Sequence, residues 1–264
     1  MCRFKSGIIL KNKAVVAPGE NDSHTDLLES LDIDDNYINA TKTFVRAELV
    51  PEDNEWWVSP EEHPEKWEFV VDQDITPDWF NKEESEKVFR EAVCAWWKDH
   101  VLVDQKIDEL NSGFYRLKRC EVKRLCNDVR VLLDSSQVGE MWDSSQVGKM
   151  RDSSHVGEMW DSSQVGEMRE NSHVGKMRDS SQVGEMRDSS QVGEMRDSSQ
   201  VGEMRDSSQV GEMRDSSQVG KMWENSQVGE MWKNSTARDF KNYPNIKILI
   251  PENGRFEMVV HKAK

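Results

Sequence analysis

The chain has 264 residues, room for one large domain or two smaller ones. Its 50 acidic residues against 35 basic ones leave a formal charge of −15, which argues against nonspecific nucleic-acid binding and for a basic or protein partner. No apolar run nears the roughly 18 residues that cross a bilayer, so no membrane association is expected. The opening "MCRFKSGIIL" lacks the apolar core of a secretory signal.

Cysteine usage fits a reduced, cytoplasmic setting: Cys2, Cys94, Cys120 and Cys126 show no C-x-x-C spacing. Cys2 itself suggests chemistry. Loss of Met1 would make its amine, with a reference pKa of about 7.7–8.0, a base for its own thiol. The start "MCRF" resembles the "MCG" opening of enzymes with an N-terminal cysteine, such as class II glutamine amidotransferases and abasic-site crosslinking proteins. Arg3 stands where those proteins have glycine. That resemblance implies Cys2 as nucleophile; otherwise Cys2 and Phe4 are inward residues of a first strand.

Residues 1–112 read as an α+β head. "FKSGIILKNKAVVA" alternates enough for two short strands, and "TFVRAELV" and "WEFVVDQ" read as two more. "SHTDLLESL" predicts a helix opened by a capping box, Ser23 with Asp26, which leaves His24 on the surface of its first turn. His24 is also the weak metal candidate of the head, because Asp22, His24 and Asp26 alternate. Asp72 and Asp74, beside "PDWF", are either an acid–base pair or a solvated strand end. Pro77 marks a possible helix start. Residues 83–100 then place Phe89, Val93, Trp96, Trp97 and His100 on one side, with Glu83–Lys87 and Glu86–Arg90 pairs outside. The pairs Trp56-Trp57 and Trp96-Trp97 suit a core or an interface.

Residues 113–133 read as an N-terminal cap and irregular first coil. Eleven nonapeptides of the type DSSQVGEMR then fill residues 134–232 without insertion. Position three is always Ser, five Val, six Gly and eight Met; the remaining positions vary among polar residues, with Arg or Trp at nine. A nine-residue period turns a helix by a net half-turn, so successive valines would lie on opposite faces and no apolar stripe could form. Disorder is the rival reading for so polar a stretch. A β-solenoid with two repeats per 18-residue coil explains the period: Ser, Val and Met face inward, and Gly marks a corner. Eleven repeats predict about five to six coils, ~26 Å long at the ~4.8 Å strand spacing. Residues 233–264 read as a cap, with a decayed repeat at Lys233 and a hairpin turning at Asn253-Gly254.

On this solenoid the varying positions form the surface. Trp142, Trp160, Trp223 and Trp232 sit at position nine near the array's two ends, with Arg178, Arg187, Arg196 and Arg205 among the arginines between them. Both residue types are frequent binding anchors. His155 and His173 lie 18 residues apart and should stack, a weak candidate for metal binding or pH sensing. The array carries more than half of the net negative charge, which raises an acidic nucleic-acid mimic, but its arginine ladder argues against a phosphate mimic. No cofactor is called for.

The phrases "MCRFKSGIILKN", "NDSHTDLLESL", "FVRAELVPEDNEW" and "VDQDITPDWF", with the "SSQVGEM" repeats, resemble a group of uncharacterised proteins of gut phages and their bacterial hosts. The resemblance covers nearly the whole chain and implies a shared N-terminal module before exchangeable C-terminal repeats. It brings no activity. The expectation is a non-enzymatic, phage-associated binding protein, in the bacterial cytoplasm or on a virion, able to self-associate through the solenoid ends. An enzyme using Cys2 is the alternative.

Overall fold

A computed structural model describes residues 4–19, 22–223, 225–232 and 234–238. The chain divides into two units, Met1–Val101 and Leu102–Lys264.

Alternation of apolar side chains builds the first unit. Strands β1 (Lys5–Leu10) and β2 (Lys13–Val16) form an antiparallel hairpin, with Ile8 opposite Val15. Strands β3 (Phe44–Pro51) and β4 (Trp67–Val71) extend it to a four-stranded sheet of order β2-β1-β3-β4. On one face Ile8 and Phe44 pack against Leu27 and Leu28 of α1 (His24–Ser30). Across the other face runs α3 (Lys82–His100), and α2 (Tyr37–Ala40) is a single turn between α1 and β3. Gly7 makes the α3 crossing possible: a Cβ there would lie 2.5 Å from the Phe89 ring. Phe4 meets Trp67 edge-on at 5.2 Å between ring centres.

The helix ends obey local hydrogen bonding. The Ser23 hydroxyl accepts from the Asp26 N–H, as the capping box requires. The long helix does not begin at Pro77, whose carbonyl accepts from the Phe80 N–H in a turn. Asn81 caps it instead, accepting from the Glu84 N–H. The Glu86–Arg90 pair forms at 2.7 Å, and Arg90 also donates to the Trp67 carbonyl. Phe89, Val93 and Trp96 are buried, His100 stacks on Trp96, and Trp97 donates its indole N–H to the Trp56 carbonyl.

The second unit is a β-solenoid of about eight coils, in which alternate strands feed two parallel sheets of eight and nine strands. Its first strands are β5 (Val101–Val103), β6 (Lys106–Leu110), β7 (Phe114–Lys118), β8 (Glu121–Leu125) and β9 (Arg130–Asp134). From β10 (Gln137–Met141) through β20 (Gln227–Met231) each nonapeptide gives one strand, and β21 (Thr236–Ala237) ends the series. Register is like on like: Val138 lies beside Val156 and Met141 beside Met159. Two repeats per coil is therefore the winding.

Coiling exceeds the five to six coils expected from the repeats alone and starts before residue 112. The reason lies in Ile107, Leu110, Leu117, Val122, Leu125, Val131 and Leu133, which line the same interior without the nonapeptide wording. These early coils are shorter. Ile107 pairs with Val122, and Val122 with Val138, so the steps are 15 and 16 residues, against 18 from Val138 to Val156. The hairpin expected around Asn253-Gly254 lies outside the described residues.

The interior is a dry double ladder. The valines and methionines of the repeats are essentially inaccessible, and each position-three serine is buried with them. Between coils, the position-four N–H donates to the position-three carbonyl below, as in Gln182 to Ser163 at 3.0 Å. The position-nine N–H donates to the methionine carbonyl, as in Arg187 to Met168 at 2.9 Å.

The glycine is not a corner. It sits mid-strand on the outer face, and a Cβ at Gly184 would meet the Gly166 carbonyl oxygen at 2.6 Å. Adjacent coils approach so closely here that no side chain fits between them. The corner is the position-one acid: Asp143, Asp161, Asp179, Asp197 and Asp215 all adopt φ of 51–57°, a left-handed conformation that Asp tolerates better than most residues. These aspartates also link coils, since the Asp161 N–H donates to the Asp179 carboxylate at 3.3 Å and Asp143 and Asp197 repeat the pattern. The turn closes with the position-three N–H donating to the position-nine carbonyl, as in Ser181 to Arg178.

Two predictions follow from this interior. Gly184→Ala should lower stability by about 1–3 kcal/mol, the usual range for forced overpacking, read as a fall in the urea midpoint; an unchanged midpoint contradicts the close approach. Ser181→Ala should behave oppositely. The Ser181 hydroxyl is buried with no hydrogen-bond partner, so its removal should be neutral or stabilise by about 1 kcal/mol. Ser136→Ala should cost about 1–2 kcal/mol, because the Ser136 oxygen accepts from the Cys120 N–H and its hydroxyl donates to the Asp134 carbonyl.

Candidate binding surface on the solenoid

Because successive repeats alternate between sheets, an array of near-identical units presents two different outer faces. The eight-stranded sheet carries a position-nine rail of Trp142, Trp160, Arg178, Arg196, Arg214 and Trp232. The nine-stranded sheet carries Arg151, Arg169, Arg187, Arg205 and Trp223. Three of the four array tryptophans are thus gathered on one face.

On that face the rail is continuous. Trp142 and Trp160 stack with ring centres 5.0 Å apart and planes 1° from parallel. The Arg178 guanidinium lies over the Trp160 ring at 4.5 Å, and Arg214 lies over Trp232 at 5.0 Å. The Trp142 indole N–H donates to Glu140. Trp232 is the most exposed of the four, at 38%. Stacked rings and guanidinium planes form a flat strip with low conformational freedom, the kind of surface on which aromatic and arginine anchors bind.

The arginines are also engaged within the chain. On the nine-stranded face Glu185 holds both Arg187 of its own repeat and Arg205 of the next coil, at 2.9 and 2.8 Å. On the other face Glu194 similarly contacts Arg196 and Arg214. Hydrogen bonds from Glu185 and Glu194 raise the affinity of Arg187 and Arg196 for their protons. Arg178, Arg187, Arg196 and Arg205 therefore do not form a free cationic strip. They alternate with glutamates in a lattice that neutralises both faces, while the acidic surplus lies at the aspartate corners. This places negative charge in thin edge lines, unlike the paired phosphate rows of a duplex.

His155 and His173 stack, with ring centres 5.1 Å apart and planes 9° from parallel. They occupy position four of the eight-stranded face, between Gln137 and Gln191 in the same ladder. Burial lowers both pKa values, and His155 lowers that of His173 further.

The remaining sequence candidates disperse. Cys2 lies outside the described residues. Burial pushes the thiols of Cys94, Cys120 and Cys126 upward, so no activated thiolate exists among the described cysteines. Asp22, His24 and Asp26 do not converge: Asp22 pairs with Lys5 at 3.0 Å, and the Asp26 N–H goes to Ser23. His24 is buried, not a surface residue of the first turn, and it faces Asp72 and Glu48. Glu48 was hidden in "TFVRAELV", where its parity with Phe44 and Arg46 was the available signal.

No protein-family model, curated protein or solved structure matches the chain. Among the described residues, no helix is long and apolar enough to cross a membrane.

The histidine pair generates a pH prediction. A pKa depressed by folding means that the unfolded chain binds more protons as the solution acidifies. The pair's contribution is therefore intact above the unfolded pKa near 6.5 and is lost as pH falls toward the lower folded values. Urea melts from pH 7.5 to 5 should show a loss that shrinks in the variant carrying His155→Gln and His173→Gln. Glutamine already fills the equivalent position in the other nine repeats.

Proposed function

We propose that the chain is a non-enzymatic binding protein whose solenoid offers a repetitive, rigid face to a protein partner, and that it works in a phage–bacterium setting. The observation that carries this reading is the Trp142–Trp160–Arg178 stack, which puts aromatic and guanidinium planes in one line on the outside of a fixed scaffold. Folded monomers usually bury such rings more deeply unless a partner uses them. The neutralised lattice around the strip favours a partner chosen by shape and stacking over one drawn by charge. The likeness of the head phrases to phage and host proteins supports the setting, and it suggests that the head is the module shared among proteins with different bodies.

The test uses the array's own alternatives. Arg occupies position nine in seven repeats, so Trp142→Arg with Trp160→Arg should leave the solenoid intact by circular dichroism. Capture of partner from a bacterial host lysate should fall at least about tenfold, the effect of losing a hot-spot residue. Equal capture by the wild type and the double variant would remove the strip from the interface.

A further inference from the structure

We propose that the head holds a divalent transition-metal ion of the zinc class, bound by His24, Glu48 and Asp72. One donor atom from each lies within 4.8 Å of the other two. The three come from separate elements: His24 from the first turn of α1, Glu48 from the middle of β3, and Asp72 from just beyond β4. Hydrogen bonding from the Asp72 N–H to the Arg46 carbonyl fixes Asp72 next to β3.

The histidine geometry points to a cation. Its Nε2 lies 3.1 Å from the Ala47 carbonyl oxygen, and its Nδ1 lies 3.3 Å from an Asp72 carboxylate oxygen. A neutral imidazole has one N–H. Donating Nε2–H to Ala47, it turns the lone pair of Nδ1 toward the Asp72 carboxylate, and two acceptors then face one another. An ion bound to both resolves the conflict. Backbone hydrogen bonding at the remote nitrogen is the usual way a metal-binding histidine is oriented.

Distance supports the same assignment. Charge-assisted N–H···O bonds are usually about 2.7–2.9 Å long. Two ligands about 2.0–2.1 Å from a tetrahedral zinc ion stand about 3.3–3.4 Å apart, which matches the 3.3 Å between His24 and Asp72. The donor set of one imidazole and two carboxylates suits a borderline ion such as Zn²⁺.

An independent observation comes from β1. Ser6 is directly opposite Glu48 in the antiparallel register, so the two side chains rise on the same face of the sheet. Ser6 is fully buried, and its hydroxyl has no hydrogen-bond partner. A buried orphan hydroxyl beside a three-ligand cluster suits a metal-bound water or a fourth ligand. Three protein ligands with one open position also distinguish a site that can accept an exogenous group from a closed structural one.

The experiment uses the full-length protein carrying His155→Gln and His173→Gln, which removes the stacked histidines of the array as a competing site. After chelator treatment, Zn²⁺ is titrated by calorimetry and Co²⁺ by its visible absorption. Saturation at about one equivalent per chain is expected, with a tetrahedral-type Co²⁺ spectrum. Asp72→Asn and Glu48→Gln keep the side-chain shapes and should each weaken binding by about 100-fold or more, given that even outer-shell changes cost 10–100-fold. Far-UV circular dichroism checks that each variant is folded. Absence of saturable binding would overturn the proposal, as would binding that both variants retain at full strength. Detection by ¹⁵N NMR of protons on both His24 ring nitrogens in the presence of excess Zn²⁺ would overturn it as well.

Discussion

The close stacking of like residues on like governs the array. Each coil places its valine beside a valine and its methionine beside a methionine, so every interior contact repeats along the stack. No single nonapeptide can bury its own Val and Met; only neighbours can shield them. The same spacing brings the glycine backbone of one coil against the carbonyl of the next and brings aspartate corners into hydrogen-bonding reach. Invariance at positions three, five, six and eight thus has one geometric origin, although the four positions meet different demands. Val and Met fill volume, Ser is small, and Gly leaves space for a neighbouring chain.

Much of this was legible in the sequence because periodicity reports burial directly. The inward residues and the 18-residue coil follow from a period that no helix can accommodate. Gly was misread as a corner because its constraint comes from an atom 18 residues away, which local sequence does not reveal. The true corner residue, Asp, resembles an ordinary surface acid until its left-handed φ is known. The coils before residue 134 escaped notice for another reason. Residues such as Val122, Leu125, Val131 and Leu133 keep the inward alternation but not the spelling or the step. In the head, the capping role of Ser23 was legible, but the adjacent His24 was assigned to solvent. A helix's first turn says nothing about what packs over it, and here the sheet covers the imidazole.

The two units place polar groups by different rules. In the solenoid, translation along the stack turns every residue into a row, so a pair of identical side chains becomes a stacked pair whether or not function requires it. His155 and His173 illustrate this, as do Trp142 and Trp160. In the head, no translation operates. His24, Glu48 and Asp72 come from distant parts of the chain and meet only because β3 lies beside β4 and α1 covers their sheet. A convergent cluster of this kind is harder to obtain by accident of architecture than a row.

The alternation of repeats between two sheets gives the array a parity. Insertion or loss of one unit would carry every downstream side chain to the reverse side, parting Trp232 from the line that contains Trp142 and Trp160. Gain or loss of two units would only lengthen or shorten both lines. Growth by duplication is thereby sorted into steps that scramble the molecule's outward pattern and steps that merely rescale it, so a lineage can adjust its reach in pairs while leaving the displayed motif unaltered.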